Sequence, residues 1–439
     1  MRSIAGASAP PCLFFRLVSS LCFRVGTLTS ACSRTSCAGY RMEYHGQRVP
    51  LTRINVSVTE GIEVLPMGGQ LPERTVHTGR FSSKLLAIGV ALVWGCLAVA
   101  GCGGDAGTES AGSEARGDEL FPVQFDDRCG FIDKTGELVI RLDYAFTTEF
   151  HEGLAAFAEE TESGTLWGYI DTEGDVAIEP QFNLATEFSQ GLAGVQREPD
   201  GPVGFIDRKG ETAIEYGFWR SGPFSEGLAV VLPQGGALYG YVDESGEMAI
   251  DPQFLSAQSF SGGAAAVLSE EEGLWGYIDR EGAYLIEPQF TAAQPFHEGL
   301  AAVELREEGW GYIGEEGLFV IEPQFTYAYR FSESLAVVEP KSDGLCGCID
   351  QSGAFVIEPS FYGQWPEYSP PVFSQGLLAV RLEERGLTGF IDRLGRVVVE
   401  PQFYLAAPFT DAGLALVLWE RDGWASWIDA EGMIIWDGR

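Results

Sequence analysis

Short blocks of apolar residues, separated by polar turns, follow one another from residue 121 to the C-terminus. Three neighbouring blocks are Leu300-Ala301-Ala302-Val303, Trp310-Gly311-Tyr312-Ile313 and Leu318-Phe319-Val320-Ile321. Blocks of four or five residues that are rich in β-branched and aromatic side chains favour strands over helices. The pattern therefore predicts units of three antiparallel strands joined by short turns.

The same blocks recur about every 36 residues, which is the period of a repeat architecture. The second block of each unit carries a Gly-aromatic-Ile-Asp core or a close variant. This core begins at Gly130, Gly168, Gly204, Gly240, Gly276, Gly311, Gly347 and Gly389, and a degenerate ninth copy is Ser426-Trp427-Ile428-Asp429. We expect nine units, each in contact mainly with its neighbours.

The turns and connectors of the units have a consistent chemistry. Most units join the second and third strands by Asp-x-x-Gly, as in Asp171 to Gly174, which is typical of a type I turn capped by the Asp side chain. Glu-Pro follows the third block, as at Pro180, and proline predicts the end of that strand. Two aromatic residues in each connector, such as Phe290 and Phe296, are expected to fill the space between neighbouring units.

These motifs resemble the WG-repeat family of β-structured tandem repeats found in bacterial proteins. The resemblance rests on Trp167-Gly168-Tyr169-Ile170-Asp171, Ile178-Glu179-Pro180-Gln181-Phe182 and Phe188-x-x-Gly191-Leu192-Ala193, and it covers residues 120–439. It implies binding or scaffolding without shared catalytic residues. The tryptophan remains only at Trp167, Trp275 and Trp310, which indicates that its ring fills space.

Two all-β architectures are compatible with such an array. We expect an open superhelix of stacked three-stranded units, with a toroidal β-propeller as the alternative. The array begins with a first strand at Phe121–Phe125 and finishes with a third strand at residues 433–436, so that no unit is divided between the two ends. The first copy lacks Glu-Pro and the last copy is divergent, as expected of capping units.

The N-terminal part differs from the repeats in charge and pattern. Residues 1–84 contain ten Lys/Arg and four Asp/Glu, which leaves eighteen basic and fifty-nine acidic residues in the rest of the chain. An acidic field of that size opposes nucleic-acid binding. Residues 1–84 show no helical or strand period, and Met67 is the better candidate for the start of translation, so that we interpret them as a non-native or disordered leader.

Residues 85–101 form an apolar stretch behind Arg80 and Lys84, of the length of a signal-peptide core. The stretch ends in Leu97-Ala98-Val99-Ala100-Gly101-Cys102, which resembles the lipobox of bacterial lipoproteins. The resemblance implies that Cys102 is lipidated, with an ordinary cleaved signal peptide or a short membrane anchor as alternatives. Residues 102–119 are rich in Gly, Ser, Ala and acidic residues and predict a flexible tether.

Few residues of the repeats suggest chemistry. His151 and His297 occupy one turn position where other copies have serine, and Cys346 and Cys348 replace the aromatic residues of a core block. We interpret all four as variants of structural positions, and the sequence predicts no catalytic residue, metal site or cofactor. Calcium bound by turn aspartates and acidic loops remains an alternative.

The insertion between Gly347 and Gly389 contains Trp365 and Tyr368 beside prolines. Insertions in repeat proteins often lie on the binding face, and exposed aromatic rings suit a protein partner or a sugar. With Trp219, these residues form the candidate binding set, although a loop folded onto its own unit is an equal alternative. The sequence therefore predicts a non-catalytic scaffold, lipid-anchored in the cell envelope, that binds a protein partner or, alternatively, envelope polysaccharide or peptidoglycan.

Overall fold

The computed structural model describes residues 119–438, apart from 126–127, 163, 272, 343, 364–370 and 422. The predicted leader, signal segment, lipidation site Cys102 and nearly all of the tether lie outside these residues. The described part is all-β and contains no helix, so that the predicted fold class is confirmed. Among the described residues, no helix has the length and apolarity needed to span a bilayer.

Thirty-one strands pair antiparallel in chain order and form five sheets in the described part of the chain. The first sheet contains β1 (Phe121–Phe125), β2 (Arg128–Ile132) and β3 (Leu138–Arg141). The second contains β4 (Phe146–Thr147), β5 (Leu154–Thr161), β6 (Gly164–Asp171) and β7 (Val176–Phe182).

The third sheet contains β8 (Leu184–Ala185), β9 (Leu192–Gln196), β10 (Val203–Asp207), β11 (Thr212–Ser225), β12 (Leu228–Pro233), β13 (Tyr239–Asp243), β14 (Met248–Ala257), β15 (Ala265–Ser269), β16 (Trp275–Ile278) and β17 (Tyr284–Phe290). The fourth contains β18 (Ala292–Ala293), β19 (Leu300–Leu305), β20 (Gly309–Gly314), β21 (Phe319–Ala328), β22 (Leu335–Pro340), β23 (Leu345–Asp350), β24 (Phe355–Tyr362), β25 (Leu377–Arg381), β26 (Thr388–Asp392) and β27 (Val397–Phe403). The fifth contains β28 (Leu405–Ala406), β29 (Ala415–Leu418), β30 (Ala425–Ile428) and β31 (Ile434–Asp437).

These strands divide into nine units along the sequence. Units 1 to 9 are residues 121–141, 146–182, 184–218, 219–254, 255–290, 292–325, 326–361, 362–403 and 405–437. Units 2 to 9 have one strand ahead of the predicted three, so that they are four-stranded. It is a separate two-residue strand in units 2, 3, 6 and 9 (β4, β8, β18 and β28), and the end of the long preceding strand in units 4, 5, 7 and 8 (β11, β14, β21 and β24). In unit 3 this strand is Leu184–Ala185, which pairs with Val195 and Gln196 of β9. Two residues carry too little apolar pattern to be recognised as a strand in the sequence.

The prediction that Glu-Pro ends the third strand is wrong. In unit 2, β7 continues through Pro180 to Phe182. Tyr169 pairs with Ile178 and Trp167 pairs with Phe182, so that three residues of β7 bulge opposite the single residue Gly168. Because the proline lies in this bulge, the missing N–H interrupts no ladder hydrogen bond.

The bulge explains the glycine of the core motif. A Cβ at Gly168 would lie 2.5 Å from the Ile178 carbonyl oxygen and 2.8 Å from the Pro180 nitrogen. The prediction that this glycine accommodates a close approach of backbone is thereby confirmed. The next motif residue, Gln181, donates from Nε2 to the Glu179 carbonyl oxygen at 3.3 Å and stabilises the bulged segment.

The turn aspartates cap backbone amides, as predicted. In unit 2 the Asp171 carboxylate accepts hydrogen bonds from the N–H groups of Glu173 and Asp175, and Gly174 adopts a positive φ of 86°. Hydrogen bonds from the adjacent hydroxyl and backbone N–H groups lower the pKa of the equivalent Asp133, Asp243 and Asp350 carboxyls.

The core lies between successive units. Phe290 of unit 5 and Phe296 of unit 6 are both buried. They pack in one cluster with Ile286 of unit 5 and Val303 of unit 6, so that their predicted role between units is confirmed. The tyrosine of the core motif adds a polar contact. Tyr312 is fully buried and donates its hydroxyl hydrogen to the Tyr329 carbonyl oxygen at 2.7 Å, which holds the next connector in place.

The two ends of the array meet. In the part of the chain that the structure describes, no sheet closes on itself by backbone pairing, as expected for stacked open sheets. Trp427 of unit 9 nevertheless donates from Nε1 to the Pro122 carbonyl oxygen of unit 1 at 2.9 Å, and its ring centroid is 5.1 Å from that of Phe121. The turn glycine Gly136 contacts Ile435, just as Gly174 of unit 2 contacts Ile140 of unit 1. The array therefore returns on itself through side chains, which is the contact that the toroidal alternative requires.

Candidate functional site

The structure places one of the three predicted binding aromatics. Trp219 lies on β11 directly after the buried Phe218, and 43% of its surface is exposed. Trp365 and Tyr368 lie in 364–370, outside the described residues. That segment follows Tyr362, which occupies in unit 8 the position that Trp219 has in unit 4. Trp219 is therefore the member of the candidate set whose surroundings the structure describes.

Serine and histidine in the Phe-Ser/His-x-Gly turn connect neighbouring units. Ser189 Oγ of unit 3 donates to the Phe224 carbonyl oxygen of unit 4 at 2.7 Å. The same contact recurs from Ser225, Ser261, Ser332 and Ser374 to the phenylalanine carbonyl of the following unit. The repeated serine is thus a structural group, because its hydroxyl is used in the contact between units. We call the repeated strands, turns and contacts between units the frame.

The residue after this serine or histidine forms a second connection. Glu152 of unit 2 has a positive φ of 52° and accepts hydrogen bonds from Gln190 N and Gly191 N of unit 3, at 2.6 and 2.8 Å. Equivalent contacts run from side chain to the backbone N–H of the next turn at Gln190 to Gly227, Glu226 to Gly263, Glu298 to Ser334 and Glu333 to Gly376. These hydrogen bonds fix one turn against the next, and those to the glutamates are charge-assisted.

A carboxyl pair with a histidine lies between units 2 and 3. His151 Nε2 is 3.3 Å from a carboxylate oxygen of Glu187, and the two side chains are only 32% and 17% exposed. Burial, and then the charge of nearby Glu149, raises the pKa of Glu187 to about 8. Burial also raises the pKa of Glu149. Glu187 is therefore largely protonated at neutral pH and loses its proton above about pH 8.

His151 lies in the turn, as predicted from the sequence, whereas the carboxyl pair was not predicted. Glu149 and Glu187 occupy the position before the turn phenylalanine, where other units have Pro223, Ser259, Arg330 or Val372. The sequence could have indicated the pair, because glutamate occupies that position in two consecutive units. The contact of Glu187 with His151 takes the place of the serine-to-carbonyl hydrogen bond of other units, so that it is a variant of the contact between units.

The second histidine forms a different contact at the equivalent position. His297 Nε2 of unit 6 is 3.4 Å from an Arg330 guanidinium nitrogen of unit 7. Burial, and then the Arg330 charge, lowers the pKa of His297 to about 4, so that the ring is neutral at pH 7 and accepts from the arginine.

Other candidates for chemistry are buried in the frame. Cys346 and Cys348 are free thiols in the core, and burial raises the pKa of Cys346 to about 12, which opposes reactivity as a thiolate. Their interpretation as core substitutions is confirmed. Within the described residues, no three His, Cys, Asp or Glu side chains are grouped to hold a metal ion.

The third strands carry the main exposed apolar surface of the described residues. In units 5 to 9 most residues between the turn glycine and the next buried position are large and apolar, the exceptions being Ala283, Ala354 and Arg396. We call this set the apolar belt: Tyr284, Leu285, Leu318, Val320, Phe355, Val356, Val397, Val398, Met433 and Ile434. Between 37% and 67% of each residue is exposed.

The same positions differ in units 2 to 4. Their three-residue segments are Asp175-Val176-Ala177, Glu211-Thr212-Ala213 and Glu247-Met248-Ala249. An acidic residue follows the turn glycine in each of these units, and alanine precedes the buried isoleucine. The strand is the same in both regions, so that the difference lies in its outward surface.

Comparison with known proteins identifies the repeat. Seven segments match the family model described as WG containing repeat, namely residues 130–160, 167–198, 204–236, 239–270, 275–307, 310–341 and 389–418. Together they contain just over half of the chain. No curated protein is significantly similar to the chain.

Solved structures show only distant similarity. Hsv2 from Kluyveromyces lactis has a TM-score of 0.32 and 10% identity, covering 47% of this chain and 70% of that protein. The CRINKLY WD40 ectodomain of the Arabidopsis thaliana receptor kinase ACR4 has a TM-score of 0.31 and 13% identity, covering 57% and 95%. An inactive virginiamycin B lyase from Staphylococcus aureus has a TM-score of 0.30 and 13% identity, covering 57% and 92%.

At these scores the solved structures carry no inference about function. The sequence motifs and the family match agree with each other, and the repeated strands, turns and bulges described above cover the matched segments. The chain therefore belongs to the WG containing repeat family.

Proposed function

We propose that the chain is a lipid-anchored protein of the cell envelope, whose repeat array is a non-catalytic scaffold for protein interactions. One observation carries the scaffold role: the repeated polar side chains join unit to unit, while large apolar side chains lie at the surface. Ser189 and Glu152 illustrate the first group, and Leu318, 67% exposed, illustrates the second. Exposed apolar residues on a rigid frame are suited to docking proteins.

The anchor is proposed from the N-terminal sequence. The lipobox-like residues end at Cys102, and the polar, acidic segment 102–119 leads to the first strand at Phe121. A lipid on Cys102 would hold the array near a membrane surface, at the outer membrane or the periplasmic face if the cell has two membranes. One acyl chain alone binds weakly, so that stable anchoring needs the additional chains of a lipoprotein cysteine.

Metabolic labelling with palmitate tests the anchor directly. The unaltered chain should incorporate label and fractionate with membranes, and Cys102→Ala should lose both properties. Cys96→Ala is the matched control, since Cys96 lies in the same apolar stretch, and it should retain label. Labelling that survives Cys102→Ala would contradict the proposed attachment site.

Affinity capture from envelope extracts tests the scaffold role. Reversible cross-linking in intact cells, followed by purification of the tagged full-length chain, should recover defined proteins in reproducible ratios. The Cys102→Ala chain serves as the comparison for contacts that depend on location. Recovery of no protein under both native and detergent conditions would argue strongly against a scaffold.

A second candidate function is binding of envelope polysaccharide or peptidoglycan. It is favoured by the exposure of Trp219, because an exposed indole ring can stack on a sugar face. Retention of the protein on polysaccharide resin should then be lost in Trp219→Ala or Trp365→Ala. Retention without dependence on either tryptophan, or no retention, would leave protein binding as the better proposal.

A further inference from the structure

The apolar belt consists of large apolar side chains that the folding of the units does not require. The buried residue of each third strand, Ile286 in unit 5 and Ile321 in unit 6, packs in the core, while the belt residues before it are exposed. In units 2 to 4 the same strand has an acidic residue after the turn glycine and alanine before the buried isoleucine, with Val176, Thr212 or Met248 between them. The apolar side chains of units 5 to 9 are therefore not explained by folding.

Belt residues of consecutive units are neighbours. The turn glycine of each unit lies against the buried residue of the preceding third strand, as Gly317 lies against Ile286 and Gly353 against Ile321. The same contact joins Gly395 to Ile357 and Gly432 to Val399. Leu285 and Leu318 directly adjoin the first of these contacts in sequence, which brings belt residues of consecutive units close together. Clustered exposed apolar side chains of this kind mark an interaction site on many proteins.

Acidic residues border the belt. An exposed glutamate follows the buried residue in units 5 to 8, at Glu287, Glu322, Glu358 and Glu400. The basic residue closest to the belt in sequence, Arg396, pairs with Asp392, with an Nε–Oδ2 distance of 2.6 Å. The whole chain carries a formal net charge of −35. A second copy would bring the same acidic border, and an anionic bilayer would be repelled as well.

We propose that the apolar belt is the docking surface for a partner protein that presents an apolar stripe bordered by lysine or arginine. The belt supplies apolar area, and the row of glutamates supplies complementary charge that orients the partner. This inference rests on the proposed scaffold function and names its surface and the chemistry of its partner.

A designed peptide tests the belt without knowledge of the natural partner. The probe is a fluorescent peptide of about fourteen residues that alternates Leu and Lys, so that an extended chain presents all leucines on one face. Its binding to the full-length chain is measured by fluorescence anisotropy. Two further peptides separate the contributions, one with Glu in place of Lys and one with Ser in place of Leu.

Leu318→Ser combined with Val320→Ser removes two belt side chains from unit 6. Because both are exposed, melting should be unchanged, while affinity for the Leu–Lys peptide should fall about tenfold or more, as expected for the loss of two apolar contacts. The matched control, Val176→Ser with Ala177→Ser, changes the corresponding strand of unit 2. It should alter affinity less than about twofold.

Several outcomes would overturn the inference. The inference fails if both double variants lose the same affinity for the Leu–Lys peptide, or if the belt variant loses none. It also fails if the chain binds the Leu–Glu peptide as tightly as the Leu–Lys peptide. Self-association of the full-length chain that Leu318→Ser with Val320→Ser abolishes would make a second copy the occupant. Belt-dependent binding to phosphatidylglycerol vesicles would make a membrane the occupant. If envelope capture returns protein partners that the belt variant retains, the scaffold proposal stands and the belt inference fails.

Discussion

Units 2 to 4 and units 5 to 9 have the same frame and different surfaces. Both regions have the core glycine opposite a bulge and the buried phenylalanines. Both also have the same turn, which is capped by aspartate except in unit 6, where Gly314 replaces it. In units 2 to 4 the third strand has an acidic residue after the turn glycine and alanine before the buried isoleucine, and a buried carboxyl pair lies between units 2 and 3. In units 5 to 9 the third strand is apolar.

The comparison separates residues that specify the fold from residues that are free to vary. Gly168 and Gly311 have the same surroundings in the two regions, since a Cβ on either would meet the carbonyl oxygen and proline nitrogen of the opposite bulge. Ala177 and Val320, by contrast, occupy one structural position with different side chains. What is shared specifies the strand arrangement, and what differs is available for binding.

The largest effect is expected at the core glycines. Gly311→Ala places a methyl group 2.6 Å from the Ile321 carbonyl oxygen and 2.8 Å from Pro323 N, and should lower the free energy of unfolding by about 3 kcal/mol. Gly168→Ala should have the same effect, because its bulge is the same. Chemical denaturation followed by tryptophan fluorescence measures both. A large difference between them would show that the frame is not common to the two regions.

Unit 3 provides the control for this prediction. Its third strand has Tyr216 in place of proline, and a Cβ at Gly204 would lie 2.9 Å from the Ile214 carbonyl oxygen. Gly204→Ala should therefore cost only about 1 kcal/mol. A cost equal to that of Gly311→Ala would mean that the Glu-Pro bulge is not the reason for the glycine.

Most of the frame was predictable because it is local. Asp171 and Gly174 form a turn within four residues, and Phe296 follows the strand that it covers, so that sequence spacing is enough. Pro180 misled the prediction because a proline in a bulge obeys a different rule from a proline in a ladder. The contact of Trp427 with Pro122 depends on the small rotation between units, which the repeat pattern does not encode.

The candidate site was less predictable than the frame. Trp219 is exposed, as a binding residue must be, while the contact of Glu187 with His151 joins residues of different units that no local motif relates. The sequence shows Val320 and Val356 in the positions that Ala177 and Ala213 have in other units. It does not show that these valines are exposed. Strand pattern alone does not show which face of an outer strand a neighbour covers.

The next largest effect belongs only to the acidic region and depends on pH. Glu187 has a pKa of about 8 in the folded chain against an ordinary value of 4.5, because of burial first and Glu149 second. A raised carboxyl pKa stabilises the folded chain below the unfolded pKa, and that contribution is lost as the pH rises from about 4.5 through 8. Glu187→Gln removes the ionisable group and should stabilise the chain by about 2 kcal/mol at pH 9, with little change at pH 4.

Thermal unfolding of the two proteins across this pH range measures the effect. Glu287→Gln is the matched control in the apolar region, since this glutamate is exposed, and it should change the melting temperature at no pH by more than about 2 °C. A Glu187→Gln curve parallel to that of the unaltered chain would contradict the assignment of the pH dependence to this carboxyl.

The smallest effect tests whether the connector is held alike in both regions. Tyr312 in unit 6 and Tyr169 in unit 2 each donate a hydroxyl hydrogen to a connector carbonyl oxygen at 2.7 Å. Phenylalanine at either position keeps the ring but leaves the carbonyl without this donor, so that Tyr312→Phe and Tyr169→Phe should each cost about 1 kcal/mol. Phe205 of unit 3 shows that the ring alone is tolerated. Equal losses in denaturation would extend the common frame to its polar contacts, whereas a loss confined to Tyr312→Phe would mean that the belt region depends on its connectors more than the acidic region does.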